Sequence, residues 1–342
     1  MDSSLFETFR NGLQEKRKNI TDRLLAAPSA KRQTRLGPIP EAQVQVELHE
    51  IDEAIEKAED QTLGLCEVCD CLVDPELLEM DYNACVCLDH FSDDEKRALE
   101  AELELAQVVQ RAMLPRQAPD IPCMEIAAYS RPAQIVGGDY FGFSQFSDGN
   151  HSLSIGDVAG HGVSSGLLMA SLQSALSSVI PIQTSPVEVI QQLNHLFSHN
   201  IHFTTFASLF LGSFDPANYQ LTYANAGHNP PMLLREVGSG APVLTYLGTT
   251  GPAIGLIEGA PYSAGSIRLQ PGDLLVLYTD GVVETANPQA EFFGQAGLEN
   301  VLRQACCIAS REVVRAVVKE LTSFAQSDQF ADDTTLIVCR IV

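Results

Sequence analysis

Residues 137–162 read GGDYFGFSQFSDGNHSLSIGDVAGHG. Two β-patterned runs, FGFSQF (141–146) and HSLSIGDV (151–158), sit on either side of a polar turn and predict a hairpin. Each run adjoins a glycine–aspartate pair, Gly138-Asp139 before the first and Gly156-Asp157 within the second. One such pair is only a turn signal. Far downstream, however, Thr279-Asp280-Gly281 and Asp332-Asp333-Thr334-Thr335 also lie beside apolar runs. Strand-edge aspartates from distant parts of one chain point to a shared carboxylate cluster.

Outward from this hairpin the texture is short strands separated by turns, with helices in pairs. MEIAAYS (124–130) reads as a strand, and Val163 to Ile180 and Val187 to Asn200 read as helices. FASLFLGSF (206–214), the turn Asp215-Pro216-Ala217-Asn218 and YQLTYANA (219–226) read as a second hairpin. PMLLR, PVLTYL, SIRL, DLLVLYTD and TTLIVCRIV predict further strands, and Gly294 to Ala305 and Arg311 to Ser323 predict helices. Strands in runs with helix pairs between them predict a layered α+β domain.

The carboxylates suit hard divalent cations, which take oxygen ligands and keep several waters. Two such ions close together activate a bridging water and neutralise phosphate oxygens. Asp139, Asp157, Asp280 and Asp332 meet that need on rigid strand ends. Neither a Walker-type phosphate loop nor a serine in a nucleophile elbow competes with them. His161, in a Gly-His-Gly turn, would orient a site water or hold the turn through the backbone.

The same residues resemble a known family. VGGDYFGF, IGDVAGHG, AGHNPP, GPAIGL, LLVLYTDGVVE and ADDTTLIV occur in order, as in the metal-dependent protein phosphatases (PPM superfamily), most like the bacterial SpoIIE/RsbU type. The resemblance covers about residues 100–342 and implies an αββα-layered sandwich. It implies two manganese or magnesium ions bridged by Asp157, with Val158 lending its backbone carbonyl. Asp280 and Asp332 would complete one ion's shell, Asp139 would bind or orient metal waters, and Asp333 would be a neighbour. The implied activity is hydrolysis of phosphoserine or phosphothreonine by attack of a metal-activated water. The implied substrate is a phosphorylated anti-sigma-factor antagonist of STAS type. Family members often carry a second acid three residues after the first; here that place is Gly142.

The N-terminal third has a different character. Residues 4–24 and about 41–60 predict two helices joined by a Pro/Gly-rich loop, an antiparallel hairpin. Cys66-x2-Cys69-x17-Cys87-x2-His90 then supplies two chelating knuckles, which predict one structural zinc ion; Cys71 and Cys85 are spare thiols able to substitute. The run ELHEIDEAIEKAEDQTLGLCEVC followed by the second knuckle resembles the DksA/TraR zinc-finger family. This chain has His90 where that family usually has a cysteine, and the hairpin tip is basic (Lys31, Arg32, Arg35). Ser92-Asp93-Asp94-Glu95 is a capping box opening a helix to Leu114. Its stripe of Leu99, Leu103, Ala106, Val109 and Met113 suits packing on its own domain or a dimer seam.

The net charge is −23, with 12 basic and 25 acidic groups in residues 1–114 and 9 and 19 in residues 115–342. With acid excess in both parts, no basic face for direct nucleic-acid binding is expected. Neither a signal-peptide pattern nor a membrane-length apolar run is evident, so a cytoplasmic protein is expected. Cys123, Cys306, Cys307 and Cys339 are expected as small core residues. The resulting division is 1–64 helical hairpin, 65–91 zinc finger, 92–115 regulatory helix and 116–342 phosphatase domain. We expect a homodimeric signalling phosphatase regulated by its zinc-finger module. The alternative is a DksA-like RNA polymerase-binding factor carrying a passenger or inactive phosphatase domain.

Overall fold

The computed structural model describes residues 10, 13–14, 17–18, 21, 41–60, 62–73, 85–90, 92–160, 162–200, 206–235, 242–305 and 307–342. His161, Cys306, the expected loop over 26–40 and most of the expected first helix lie outside the described residues. The chain divides into two compact units, with the boundary between Glu100 and Ala101. That division falls within the helix anticipated as a connector.

In the first unit, helix α1 (Glu41–Glu59) turns Ile51, Ala54 and Ala58 inward at helical spacing, where they cluster with Leu13 and Leu63. An exposed ion pair joins Arg17 to Asp52. After α1 the chain makes a small bridge between Leu65 and Leu72. Cys66 N–H donates to Cys71 O (2.8 Å) and Glu67 N–H to Cys85 O (2.8 Å), so both knuckles fold back on one another. A single 3-10 turn, Leu88–His90, closes the second knuckle.

Helix α2 (Asp93–Met113) leads to the second unit, whose centre is two five-stranded antiparallel sheets. One has the order β1 (Met124–Arg131), β10 (Thr334–Ile341), β9 (Leu274–Tyr278), β6 (Met232–Arg235), β7 (Val243–Tyr246). The other runs β2 (Tyr140–Gln145), β3 (His151–Val158), β4 (Ala207–Asp215), β5 (Gln220–Ala226), β8 (Gly265–Arg268). The predicted hairpin is β2–β3, with Tyr140 opposite Gly156 and Gln145 opposite His151.

The layers follow from side-chain alternation. In β9 all five residues, LLVLY, are buried, because both faces of the sheet are covered. Leu275 and Leu277 face the other sheet, meeting Ile337, Phe141, Ile155 and Phe210 in the inter-sheet core. Leu274, Val276 and Tyr278 face outward onto α6 (Gly294–Gln304) and α7 (Ser310–Ala325), through Leu298, Leu302, Val313 and Leu321. The second sheet is covered likewise by α3 (Gly162–Val179) and α4 (Pro186–Asn200), through Met169, Leu172, Leu176, Val189 and Leu193. The result is the expected αββα sandwich. Arg235 on β6 braces its rim with a bidentate ion pair to buried Asp273 (2.8 and 2.5 Å).

Three local expectations need correction. The stretch Gly162–Ile182 is long and apolar enough to cross a membrane, but its buried side chains are those that cover the second sheet. Cys339 is a core residue, whereas Cys123 is only half-buried and Cys307 is exposed. On α2, Leu103, Ala106 and Met113 are half-buried, but Val109 is 55% exposed. The half-buried face instead includes Gln107 and Gln110.

Candidate active site

Antiparallel pairing brings the relevant strand ends together. Tyr140 opposite Gly156 sets the start of β2 beside the end of β3, and Leu336 opposite Tyr278 sets the start of β10 beside the end of β9. Asp139 immediately precedes β2 and Asp157 is the penultimate residue of β3. Asp280 opens the one-turn helix α5 (Asp280–Val283) just after β9, and Asp332 lies two residues before β10. All four predicted aspartates therefore converge, with Asp333 as a fifth.

Their environments differ. Asp139 is buried, Asp157 and Asp280 are half-buried, and Asp332 is exposed. Burial and the charges of Asp157 and Asp333 push the Asp139 carboxyl well above the ordinary range, against the hydroxyls of Thr335 and Thr279. Burial, then the charges of Asp280, Asp332 and Asp333, push Asp157 up to about 7. Asp280 is raised by burial and by Asp332 and Glu284. A site that disfavours its own carboxylate charges is one that cations would stabilise.

Hydrogen bonding separates a working set from a supporting one. Thr279 Oγ1 donates to Asp139 Oδ2 (2.8 Å) and accepts from Thr335 N–H (3.0 Å). Asp139 Oδ1 is buried with no hydrogen-bond partner among the described residues. Asp333 spends both its oxygens on the loop before β2: Oδ1 accepts from Ala133 N–H (2.7 Å) and Oδ2 from Gly138 N–H (2.6 Å). Asp333 thus fastens that loop. A Cβ on Gly137 would lie 2.3 Å from the Asp333 carboxylate, which makes glycine obligatory there. A Cβ on Gly138 would lie 2.8 Å from the Val158 carbonyl and 3.3 Å from Asp157 Oδ1, so this glycine brings the loop against the Asp157–Val158 edge. At Gly142 a Cβ would lie 2.0 Å from the Tyr140 hydroxyl, so the Tyr140 ring takes the space of the family's second acid.

The donor set is all oxygen, includes an unsatisfied buried carboxylate atom, and fits hard divalent cations. Asp139, Asp157, Asp280, Asp332 and the Val158 carbonyl are the groups that would hold them. Among the described residues, only Cys66, Cys69, Cys87 and His90 bring three or more ligand atoms within 4.8 Å of one another. Among the described residues the carboxylates form no such group. The thiol–imidazole group fits a single tetrahedral zinc. Its Cys69 and Cys87 sulfurs are 3.9 Å apart, against about 3.8 Å for the edge of a tetrahedron with Zn–S bonds near 2.3 Å. Desolvation opposes ionisation of Cys66, but the N–H groups of Cys87, Val68 and Cys69 bring its thiol down to about 6. Cys71 and Cys85 stand outside this group.

Thr279, Gln107 and Gln110 are the supporting residues that sequence reasoning missed. Gln107 and Gln110 reach the Asp139 loop from α2, donating to Ile135 O (2.8 Å) and Gly137 O (2.7 Å). Their signal was present: two glutamines, three apart, on a half-buried helix face.

The family Stage II sporulation protein E (SpoIIE) matches residues 147–342, a span that includes Asp157, Asp280 and Asp332 but begins after Asp139. The chain is 28% identical over 245 residues to phosphoserine phosphatase RsbU of Bacillus subtilis (strain 168), covering 72% of this chain and 71% of that protein. Among solved structures, the SiaA-PP2C domain of Pseudomonas aeruginosa superimposes with a TM-score of 0.62 at 23% identity, over 72% of this chain and 99% of that one. That likeness concerns the fold. The RsbU and RsbW domains of Rv1364c from Mycobacterium tuberculosis align with a TM-score of 0.54 at 28% identity, covering 67% and 62%.

Proposed function

The chain belongs to the SpoIIE family and is a PPM-type protein serine/threonine phosphatase, and we propose that it acts on a phosphorylated signalling protein, an anti-sigma-factor antagonist of STAS type. The observation that carries the reading is the buried, partnerless Oδ1 of Asp139 beside Asp157, whose carboxyl is raised to about 7 by burial and three neighbouring acids.

In this reading two manganese or magnesium ions, when bound, activate the attacking water and neutralise the phosphate oxygens. The chain's own part is placement. Asp157 would serve both ions, Asp280 and Asp332 would complete one ion's shell, and Asp139 would bind or orient metal waters. Thr279 fixes one oxygen of Asp139 and leaves the other free for the site. Asp333 holds the loop backbone so that Asp139 and the Val158 carbonyl keep their spacing. In this reading the carboxylates hold ions rather than attack phosphorus, and no covalent enzyme intermediate forms.

The N-terminal unit, with one zinc on Cys66, Cys69, Cys87 and His90, is proposed as a regulatory module acting through α2 in a homodimer. The ligand grouping supports the zinc assignment. The functional test is manganese-dependent release of phosphate from a phosphoserine-bearing STAS-type protein by the full-length chain. Turnover that needs manganese and disappears in Asp157→Asn is expected. A zinc- and manganese-loaded chain inert on phosphoproteins would contradict the reading.

A further inference from the structure

The loop carrying Asp139 is gripped from two sides. Asp333 holds it from β10, accepting N–H groups of Ala133 and Gly138. The opposite grip comes from α2. Gln110 Nε2 donates to Gly137 O (2.7 Å), and Gln110 Oε1 accepts from Gly137 N–H (3.1 Å). Both backbone groups of Gly137 are thereby paired with one side chain, as an adjacent β-strand would pair them. A primary amide suits this role because it presents a donor and an acceptor side by side.

Gln107, one turn earlier, donates to Ile135 O (2.8 Å). Residues 135 and 137 lie two apart in the bent loop before β2, so two side chains about one helical turn apart reach carbonyls two residues apart. Between them, buried Val136 packs toward α3, where a Cβ on Gly166 would lie 3.3 Å from Val136 and 3.1 Å from Gln110 Nε2. Gly166 thus keeps open the slot in which the amide sits. A cavity of about 350 Å³ adjoins this junction, and its lining includes Gln110, Gly137, Asp139 and Asp333.

We propose that Gln110 is a positioning residue for the cation site: its amide sets Gly137, and through it Asp139 and Gly138, in the place the ions require. Gly138 is the residue whose backbone lies against the Val158 carbonyl, so a small displacement at Gly137 reaches two expected ligand groups at once. Linkage makes the coupling reciprocal: bound cations favour the clamped position of α2, and a helix pulled out of the clamp weakens the cations by the same factor. This deepens the phosphatase reading and rests on it for the nature of the ions.

The test uses the full-length, zinc-loaded chain and manganese as probe. Gln110→Met keeps the length of the side chain and removes both hydrogen bonds; Gln110→Glu keeps the acceptor alone. Manganese affinity by calorimetry is expected to fall about tenfold in Gln110→Met and less in Gln110→Glu, in the range found for groups that orient metal ligands. In phosphatase assays the manganese requirement should rise while KM for the phosphoprotein stays unchanged and kcat recovers at saturating manganese. A merely structural glutamine would lower the melting temperature in chelator without that selective shift. Wild-type affinity in Gln110→Met overturns the proposal whatever the activity. Should Gln110→Met not fold, wild-type affinity in Gln110→Glu overturns it equally. A wild-type chain that binds manganese but does not dephosphorylate contradicts the functional reading and leaves the clamp standing.

Discussion

Replacing Asp333 by alanine isolates support from chemistry, because its two oxygens are committed to backbone donors. The variant strands the N–H groups of Ala133 and Gly138, which now donate at 2.7 and 2.6 Å to a largely buried carboxylate. A hydrogen bond to a charged group contributes about 1.5–3 kcal/mol, and a buried donor left without a partner costs a similar amount. Against this stands relief: burial and the charge of Asp332 raise the Asp333 carboxyl, so its removal lessens repulsion in the site. The balance is a loss of about 3 kcal/mol, which for a domain of this size lowers the melting temperature by roughly 6–12 °C. Asp333→Asn keeps one acceptor oxygen but turns an amide N–H₂ toward the second donor, and should lose about half as much. The assay is thermal unfolding in chelator, followed by circular dichroism since the chain has no tryptophan. A parallel manganese titration should show weakened binding in both variants. If Asp333→Ala melts within about 1 °C of wild type and binds manganese normally, the fastening argument is wrong.

Further expectations concern the rest of the site and the zinc unit. Gly138→Ala would bring a Cβ within 2.8 Å of the Val158 carbonyl, and manganese affinity should fall by about tenfold or more with the fold retained, measured by calorimetry and circular dichroism. In the metal-free protein Asp157 titrates near 7 rather than 3.8, so the native state holds more protons than the unfolded chain between those values. Stability in chelator should therefore fall as pH rises from about 4 to 7, by up to about 4 kcal/mol from this group. Saturating manganese, which selects the ionised carboxylates, should abolish or reverse that slope in pH-dependent melts. Cys87→Ala should lose the zinc and destabilise the first unit while leaving the manganese-dependent chemistry intact, read by metal analysis and turnover with manganese restored.

The layered fold was legible because its signals are local. DLLVLY contains five consecutive apolar residues after the aspartate, and only a strand covered on both faces buries them all. The Gly-Asp pairs were legible for a similar reason, since each stands at the edge of a β-patterned run. What stayed hidden depends on contacts between residues far apart in sequence. Asp333 is separated from Gly138 by 195 positions, and nothing in ADDTT distinguishes a carboxylate that fastens backbone from one that faces ions. Gln110 was obscured by the apolar stripe of its own helix. Of the positions chosen there, Leu103, Ala106 and Met113 are half-buried, but so are the two glutamines, while Val109 is exposed. The exclusion of an acid at position 142 rests on the Tyr140 ring, whose hydroxyl bonds with Ser154 on the neighbouring strand. A cross-strand relation of that kind has no local sequence signal.

The most direct measurement is manganese binding to zinc-loaded wild-type and Asp157→Asn chains by calorimetry. Two manganese ions per wild-type chain are predicted, with affinity for both weakened on the order of 100-fold or more in Asp157→Asn because one residue serves both positions. Unchanged stoichiometry and affinity in Asp157→Asn would contradict the two-cation site on which the account rests.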